Sequence, residues 1–155
     1  MAYPRFQRAR DFKIYIGNID YSVSTTDWLD IPGWELTLTA QSGDAIEVNL
    51  EALYDSVAEY KFIDAVTMVG GSVVNYFGFQ GANPASGEGI RAWYGSGLSL
   101  DFQAVGGGSI LTLTPSDIEN GTVTIRLRAR GQTTTPRIVS LYKFWAKNLG
   151  PQDPN

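Results

Sequence analysis

Apolar and polar residues alternate one by one along most of this chain, and only an extended strand with one buried face sorts such a pattern cleanly. The clearest run is Thr122–Arg130: Val123, Ile125, Leu127 and Ala129 share one side, and Thr122, Thr124, Arg126, Arg128 and Arg130 share the other. In 34–40, Trp34, Leu36, Leu38 and Ala40 alternate with Glu35, Thr37 and Thr39. In 45–53, Ile46, Val48, Leu50 and Ala52 alternate with Glu47, Asn49 and Glu51. The turn residues Gln41–Asp44 between these two runs predict an antiparallel hairpin.

Further strands are expected at 62–69 and 72–79 around Gly70-Gly71, and at 97–105 and 109–114 around a Gly106–Gly108 turn. Asn120-Gly121 should turn into the 122–130 strand, Gly131–Pro136 is a loop, and Arg137–Trp145 is a closing strand. Phe12–Ile16 and Tyr21–Leu29 each supply a short strand. Helical spacing shows only at 50–60 (Leu50, Leu53, Tyr54, Val57), with room for one turn at 114–120. About eight to ten short strands punctuated by Gly and Asn predict an all-β chain, an antiparallel sandwich of jelly-roll type.

The 155 residues fit one domain, read as a basic arm at 1–10, a sandwich at 11–148 and a short tail at 149–155. Cysteine and histidine are both absent. That removes thiolate and imidazole zinc sites, Ser-His-Asp and Cys-His nucleophiles, and the usual neutral-pH base. No cofactor or metal is expected, and the chain reads as no enzyme. Met1–Arg5 is followed by charge, so no signal peptide is read, and no run approaches the roughly 20 apolar residues of a membrane helix. Synthesis in the cytoplasm is the expectation, with no membrane partner.

Charge is unevenly spread within a net of −4. Arg5, Arg8, Arg10 and Lys13 face a single Asp11 at the start, while Arg126, Arg128, Arg130, Arg137, Lys143 and Lys147 face a single Asp153 at the end. All other acidic residues lie between, with Lys61 and Arg91 as the cations there. Basic ends around an acidic middle suit self-association or docking on an acidic partner, and the negative net charge argues against nucleic acid. Arg126, Arg128 and Arg130 on one strand face need acidic neighbours across the sheet or a partner surface, and Glu47 and Glu51 show the matching spacing. On the last strand Ile138, Ser140, Tyr142, Phe144 and Ala146 alternate with Val139, Leu141, Lys143 and Trp145, so both faces are largely apolar. Such a strand needs a second cover, which makes Trp145 an interface candidate.

The stretch 75–97 combines glycines with Tyr76, Phe77, Phe79, Trp93 and Tyr94. Aromatics beside small residues on a long loop suit cell-surface glycan or protein contact, or else they anchor the loop over an open end of the sandwich. Gly87-Glu88-Gly89 and Gly95-Ser96-Gly97 lack the Lys-Ser/Thr of a phosphate loop. Carboxylate pairs such as Asp27 with Asp30, or Asp117 with Glu119, are what any acidic β-domain offers. Asn120-Gly121-Thr122 fits a glycosylation acceptor, and better a hairpin turn.

The run Thr25–Ala40 (TTDWLDIPGWELTLTA), followed by Gly43–Val48 (GDAIEV), resembles the opening of small jelly-roll modules in virion proteins of tailed bacteriophages. Gly121–Gly131 (GTVTIRLRARG), a loop and a hydrophobic closing strand are similar to the last strand pair of that module, and Phe144–Pro151 (FWAKNLGP) is phage-like as well. The resemblance implies a TNF/C1q-like jelly roll, usually a homotrimer, serving as capsid decoration, head fibre or tail protein. Its partners would be itself and the major capsid protein or other virion proteins, and its location the virion. It carries over no catalytic residue.

Overall fold

The computed structural model describes residues 11–54, 61–77, 93–95, 103–131, 134 and 136–151. Among them run nine strands: β1 (Asp11–Val23), β2 (Leu29–Thr39), β3 (Asp44–Tyr54), β4 (Lys61–Val69), β5 (Ser72–Tyr76), β6 (Trp93–Gly95), β7 (Gln103–Thr112), β8 (Thr122–Gly131) and β9 (Arg137–Pro151). They form two antiparallel sheets in the orders β1-β9-β3-β7 and β2-β8-β4-β5. β6 adds to the second sheet, along the part of β4 that β5 leaves free. The chain is an antiparallel jelly-roll sandwich, as the alternation predicts.

The turn residues act where their backbone demands it. Gly70 and Gly71 take φ 59° and 81° between the paired Val69 and Ser72, and Asn120 and Gly121 take φ 52° and 72° between Glu119 and Thr122. Two successive residues at positive φ match the twist of the flanking strands, which is why Gly and Asn stand there. The single turn expected at 114–120 is a 3-10 turn over Pro115–Asp117.

Five expectations are corrected. The runs 34–40 and 45–53 are not a hairpin: β2 pairs with β8, and β3 with β9 and β7. The turn between them crosses from one sheet to the other. Ala40 N–H donates to Gly121 O (3.0 Å) on the second sheet, while Gly43 N–H donates to Leu113 O (2.9 Å) beside the first. Trp34, Leu36, Leu38 and Ala40 therefore meet Ile46, Val48 and Leu50 in the core from opposite sides. Gly106–Gly108 do not turn; they lie inside β7 opposite Glu51, Leu50 and Asn49. Glycine weakens a strand without forbidding it where a neighbour supplies the ladder. Phe12–Ile16 and Tyr21–Val23 are one strand, continuous through a register shift between Ile16 and Ile19. Finally, β3 extends to Tyr54 where helical spacing begins, and β9 runs on to Pro151, past the expected end of the sandwich at 148; residues 55–60, 1–10 and 152–155 lie outside the described residues.

The core is one cluster between the sheets. Trp34, Leu36 and Leu38 of β2, Ile63 and Ala65 of β4, and Val123, Ile125, Leu127 and Ala129 of β8 meet Ile46, Val48 and Leu50 of β3 and Phe144 and Ala146 of β9. A polar knot closes one corner. Asn148 Nδ2 donates to Thr39 O (2.9 Å) and to Asp44 Oδ2 (2.8 Å), and its Oδ1 accepts from Gly150 N–H (2.8 Å). Asp11 Oδ2 accepts from Thr39 N–H (2.8 Å), so side chains from three strands serve one peptide unit or its neighbours. Asp44 and Asn148 are fully buried, which such pairing makes tolerable.

Strand direction gives the sandwich two unlike ends. The turn end carries the β2–β3, β4–β5 and β7–β8 connections, the start of β1 and the end of β9. The loop end carries the β1–β2, β3–β4, β5–β6, β6–β7 and β8–β9 connections. A strand of β3's length separates them by about 35 Å.

Candidate interaction surfaces

The outer face of the β2-β8-β4-β5 sheet carries an ionic and aromatic ladder. It starts from the Asp30–Glu35 run, where β2 gains extra residues opposite β8: Asp30 pairs with Arg128, yet Glu35 pairs with Arg126. Gly33 at φ 82° makes that bulge possible. Five steps along a regular strand would put Asp30 and Glu35 on opposite faces. The bulge resets the register, so both carboxylates reach Arg126, at Nη1–Oδ2 3.0 Å and Nε–Oε2 2.9 Å, while Trp34 between them enters the core. A methyl at residue 33 would meet nothing within 4 Å, so Gly33→Ala tests backbone conformation alone. It is expected to lower stability by about 1–2 kcal/mol in urea unfolding.

One row further, Arg128 donates to both oxygens of Asp64 on β4, with Nε–Oδ1 at 3.0 Å. Asp64 is fully buried and the Arg128 side chain only 11% exposed. The guanidinium carbon of Arg128 lies 5.1 Å from the Trp28 ring centre and 5.7 Å from that of Tyr76. Arg130 approaches Trp28 at 5.1 Å, and its Nη1 donates to Thr26 O (3.3 Å). Burial pulls the Arg128 pKa down, but the hydrogen bonds and charge of Asp64 outweigh it and leave it raised. The hydrogen bond that Arg126 donates to Glu35 raises its pKa. The three arginines thus have cross-strand neighbours, but not Glu47 and Glu51. Those sit on β3, in the other sheet, because β2 and β3 are not a hairpin. Arg128 and Arg130 are buried, not outward into solvent as alternation alone suggests.

The outer face of the β1-β9-β3-β7 sheet is different in kind. Register aligns Phe12, Lys147, Glu47 and Ile110 in one row and Ile14, Trp145, Asn49 and Gly108 in the next. Phe12 (46%), Ile14 (41%) and Ile110 (55%) are exposed. The Phe12 and Trp145 rings are 6.1 Å apart, and Lys147 Nζ lies 5.7 Å from the Trp145 ring centre. Ile138 joins this face at 40% exposure, against the expectation that it sides with Phe144. β3 steps from Glu51 to Ala52 while β9 steps from Lys143 to Leu141, and that slip at Tyr142 reverses the faces of the residues before it.

Trp145 therefore stands on an outer face. Tyr76 packs beside Arg128 at the end of β5, and Phe77 is wholly buried, its N–H donating to Ala65 O (3.0 Å). Both pack against the sandwich itself. Trp93 and Tyr94 lie on β6 opposite Ile63 and Phe62. Arg5, Arg8, Arg10 and Phe79, with residues 78–92 and 96–102, lie outside the described residues. Sequence reasoning missed Asp64 and the exposed Phe12, Ile14 and Ile110; the alternation of Phe12 and Ile14 with Lys13 was the one legible signal among them.

The fold has known relatives in shape. The chain is similar to the solved structure of Eiger TNF from S. frugiperda, at a TM-score of 0.51 and 14% identity over 96% of this chain and 98% of that one. That likeness shows a TNF-like jelly roll. An enzymatically active domain of bacteriophage CBA120 tailspike protein 4 aligns at a TM-score of 0.34 and 8% identity, over 89% of this chain and 20% of that one. No family model matches the sequence, and no curated protein matches it.

Proposed function

We propose that this chain is a non-enzymatic structural protein of a virion, a homotrimer that decorates a capsid shell and associates through the outer face of its β1-β9-β3-β7 sheet. The observation that carries the self-association is that face. Phe12, Ile14 and Ile110 are exposed there around Trp145, and Ile138 is exposed further along β9. Bare aliphatic side chains offer a glycan few hydrogen bonds, but they suit a protein surface of the same kind. The absence of His and Cys from the whole chain supports a role without catalysis. The virion and the threefold symmetry rest on the phage-module resemblance of Thr25–Val48 and Gly121–Pro151.

Burying one isoleucine side chain contributes up to about 1.5–3 kcal/mol. Ile14→Asp with Ile110→Asp should therefore turn the oligomer into a monomer without changing the far-ultraviolet spectrum. Native mass measurement over a range of concentrations reads this directly. Three chains per particle are expected for the unaltered protein; a monomer at the highest concentration would end the proposal.

A further inference from the structure

We infer that copies of this chain meet head to tail: the β1-β9 half of the outer face on one copy packs against the β3-β7 half on the next, with Lys147 opposite the neighbour's Glu47 and Lys143 opposite its Glu51. This rests on the self-association proposed above and adds the register and the type of contact.

The face divides along its middle. Register sets Phe12 and Lys147 beside Glu47 and Ile110 in one row, Ile14 and Trp145 beside Asn49 and Gly108 in the next, and Lys143 beside Glu51 in a third. The β1-β9 half is thus basic and bulky. The β3-β7 half is acidic, and Gly108 leaves its middle row without a side chain on the edge strand. Glu47, Lys143 and Lys147 are half-buried and Glu51 is exposed. Glu47 neighbours Lys147 and Glu51 neighbours Lys143 within the sheet, yet among the described residues no ion pair joins them. Lys147 leans instead over the Trp145 ring, its Nζ 5.7 Å from the centre.

Symmetry decides how two such faces fit. A rotation axis parallel to the strands keeps every row at its own height, and it brings the β1-β9 half of one copy to the β3-β7 half of the next. Each lysine then meets a glutamate, Phe12 meets Ile110, and Ile14 enters the gap at Gly108. The same matching holds around a closed ring of three. A two-fold axis across the strands exchanges the first row with the third instead. It sets Lys147 on Lys143 and Glu47 on Glu51, like charge on like, which is costly at an interface. Opposed charges fix register more than they add affinity, and the apolar side chains around them supply the buried area.

The chain has no cysteine, so introduced cysteines link only where they are placed. Phe12 and Ile110 are exposed and stand on the two edge strands of this sheet. Within one chain they are three strand spacings apart, about 14 Å, too far for an internal disulfide. Phe12→Cys and Ile110→Cys are made as separate proteins and oxidised alone and after refolding together. A disulfide joining one chain of each, identified by mass, is expected from the mixture, and no link from either protein alone. Phe12→Cys linked to itself, Ile110→Cys linked to itself, or a mixture without the mixed link would overturn the inference.

The charges are tested separately. Glu47→Lys with Glu51→Lys forms one protein, and Lys143→Glu with Lys147→Glu another. Each alone should stay monomeric at concentrations where the unaltered chain assembles, with its far-ultraviolet spectrum unchanged, and the two mixed should associate. Neither carries an opposed pair within its own chain, so association in the mixture reports pairs between chains. Assembly of either protein alone, or none in the mixture, overturns the head-to-tail register. If that happens while Ile14→Asp with Ile110→Asp is still monomeric, the face stands and the register falls; a monomeric unaltered chain ends both.

Discussion

Asp64→Leu should cost about 3–5 kcal/mol of unfolding free energy, because it leaves Arg128 buried without its carboxylate. The guanidinium would keep Trp28 and Tyr76 beside it, but aromatic faces replace only part of a bidentate ion pair. Removing both charges at once is a different experiment. Asp64→Leu with Arg128→Met should recover much of the loss, since two apolar side chains of similar volume can replace a buried pair at little cost. Urea unfolding of the two single variants and the double one gives the coupling directly. Additive losses would show that Asp64 and Arg128 act independently. The pH dependence follows from the sign of the shift. The folded pKa of Arg128 is raised, so its contribution is complete below the unfolded arginine value and disappears only as pH rises through the folded one. Stability from this group should be flat from neutral pH well into mild alkali.

Trp34→Ala should cost a similar amount, about 3–5 kcal/mol, by opening a cavity between the sheets. Trp34 is 1% exposed and belongs to the central cluster with Leu36, Leu38 and Phe144. Trp34→Phe should cost less, since it leaves a smaller void. The same unfolding series measures both, and equal losses for the two would mean that the indole does not fill the space assigned to it.

Trp34 also shows what the sequence made legible. Its side of β2 was readable because period two needs no knowledge of the partner strand, and the same holds for β3, β8 and the Gly70-Gly71 and Asn120-Gly121 turns. Pairing was not readable. A turn of Gln41–Asp44 suits a hairpin or a crossing between sheets, and what decides is the set of long-range bonds to Gly121 and Leu113. The arginine face on β8 was seen, but its partners were sought on β3 and found on β2 and β4. That placement depends on the bulge at Gly33, where a local backbone angle moves two carboxylates to one side. The outward side of Ile138 was hidden for the same reason, since one slipped residue at Tyr142 inverts the pattern before it.

β9 lies between β1 and β3, so a nascent chain emerging from the ribosome has nothing to join its first strand to the rest of that sheet until Arg137–Pro151 appear. Asp11 waits for Asn148, and Leu50 for Phe144. Until then the apolar side of β3 has no central neighbour to its β1 side, and it is open to wrong partners. Translation is therefore a period of exposure for this fold, and the sheet closes only once β9 can seat between β1 and β3. Contacts so distant in sequence make that event slow on the scale of small domains.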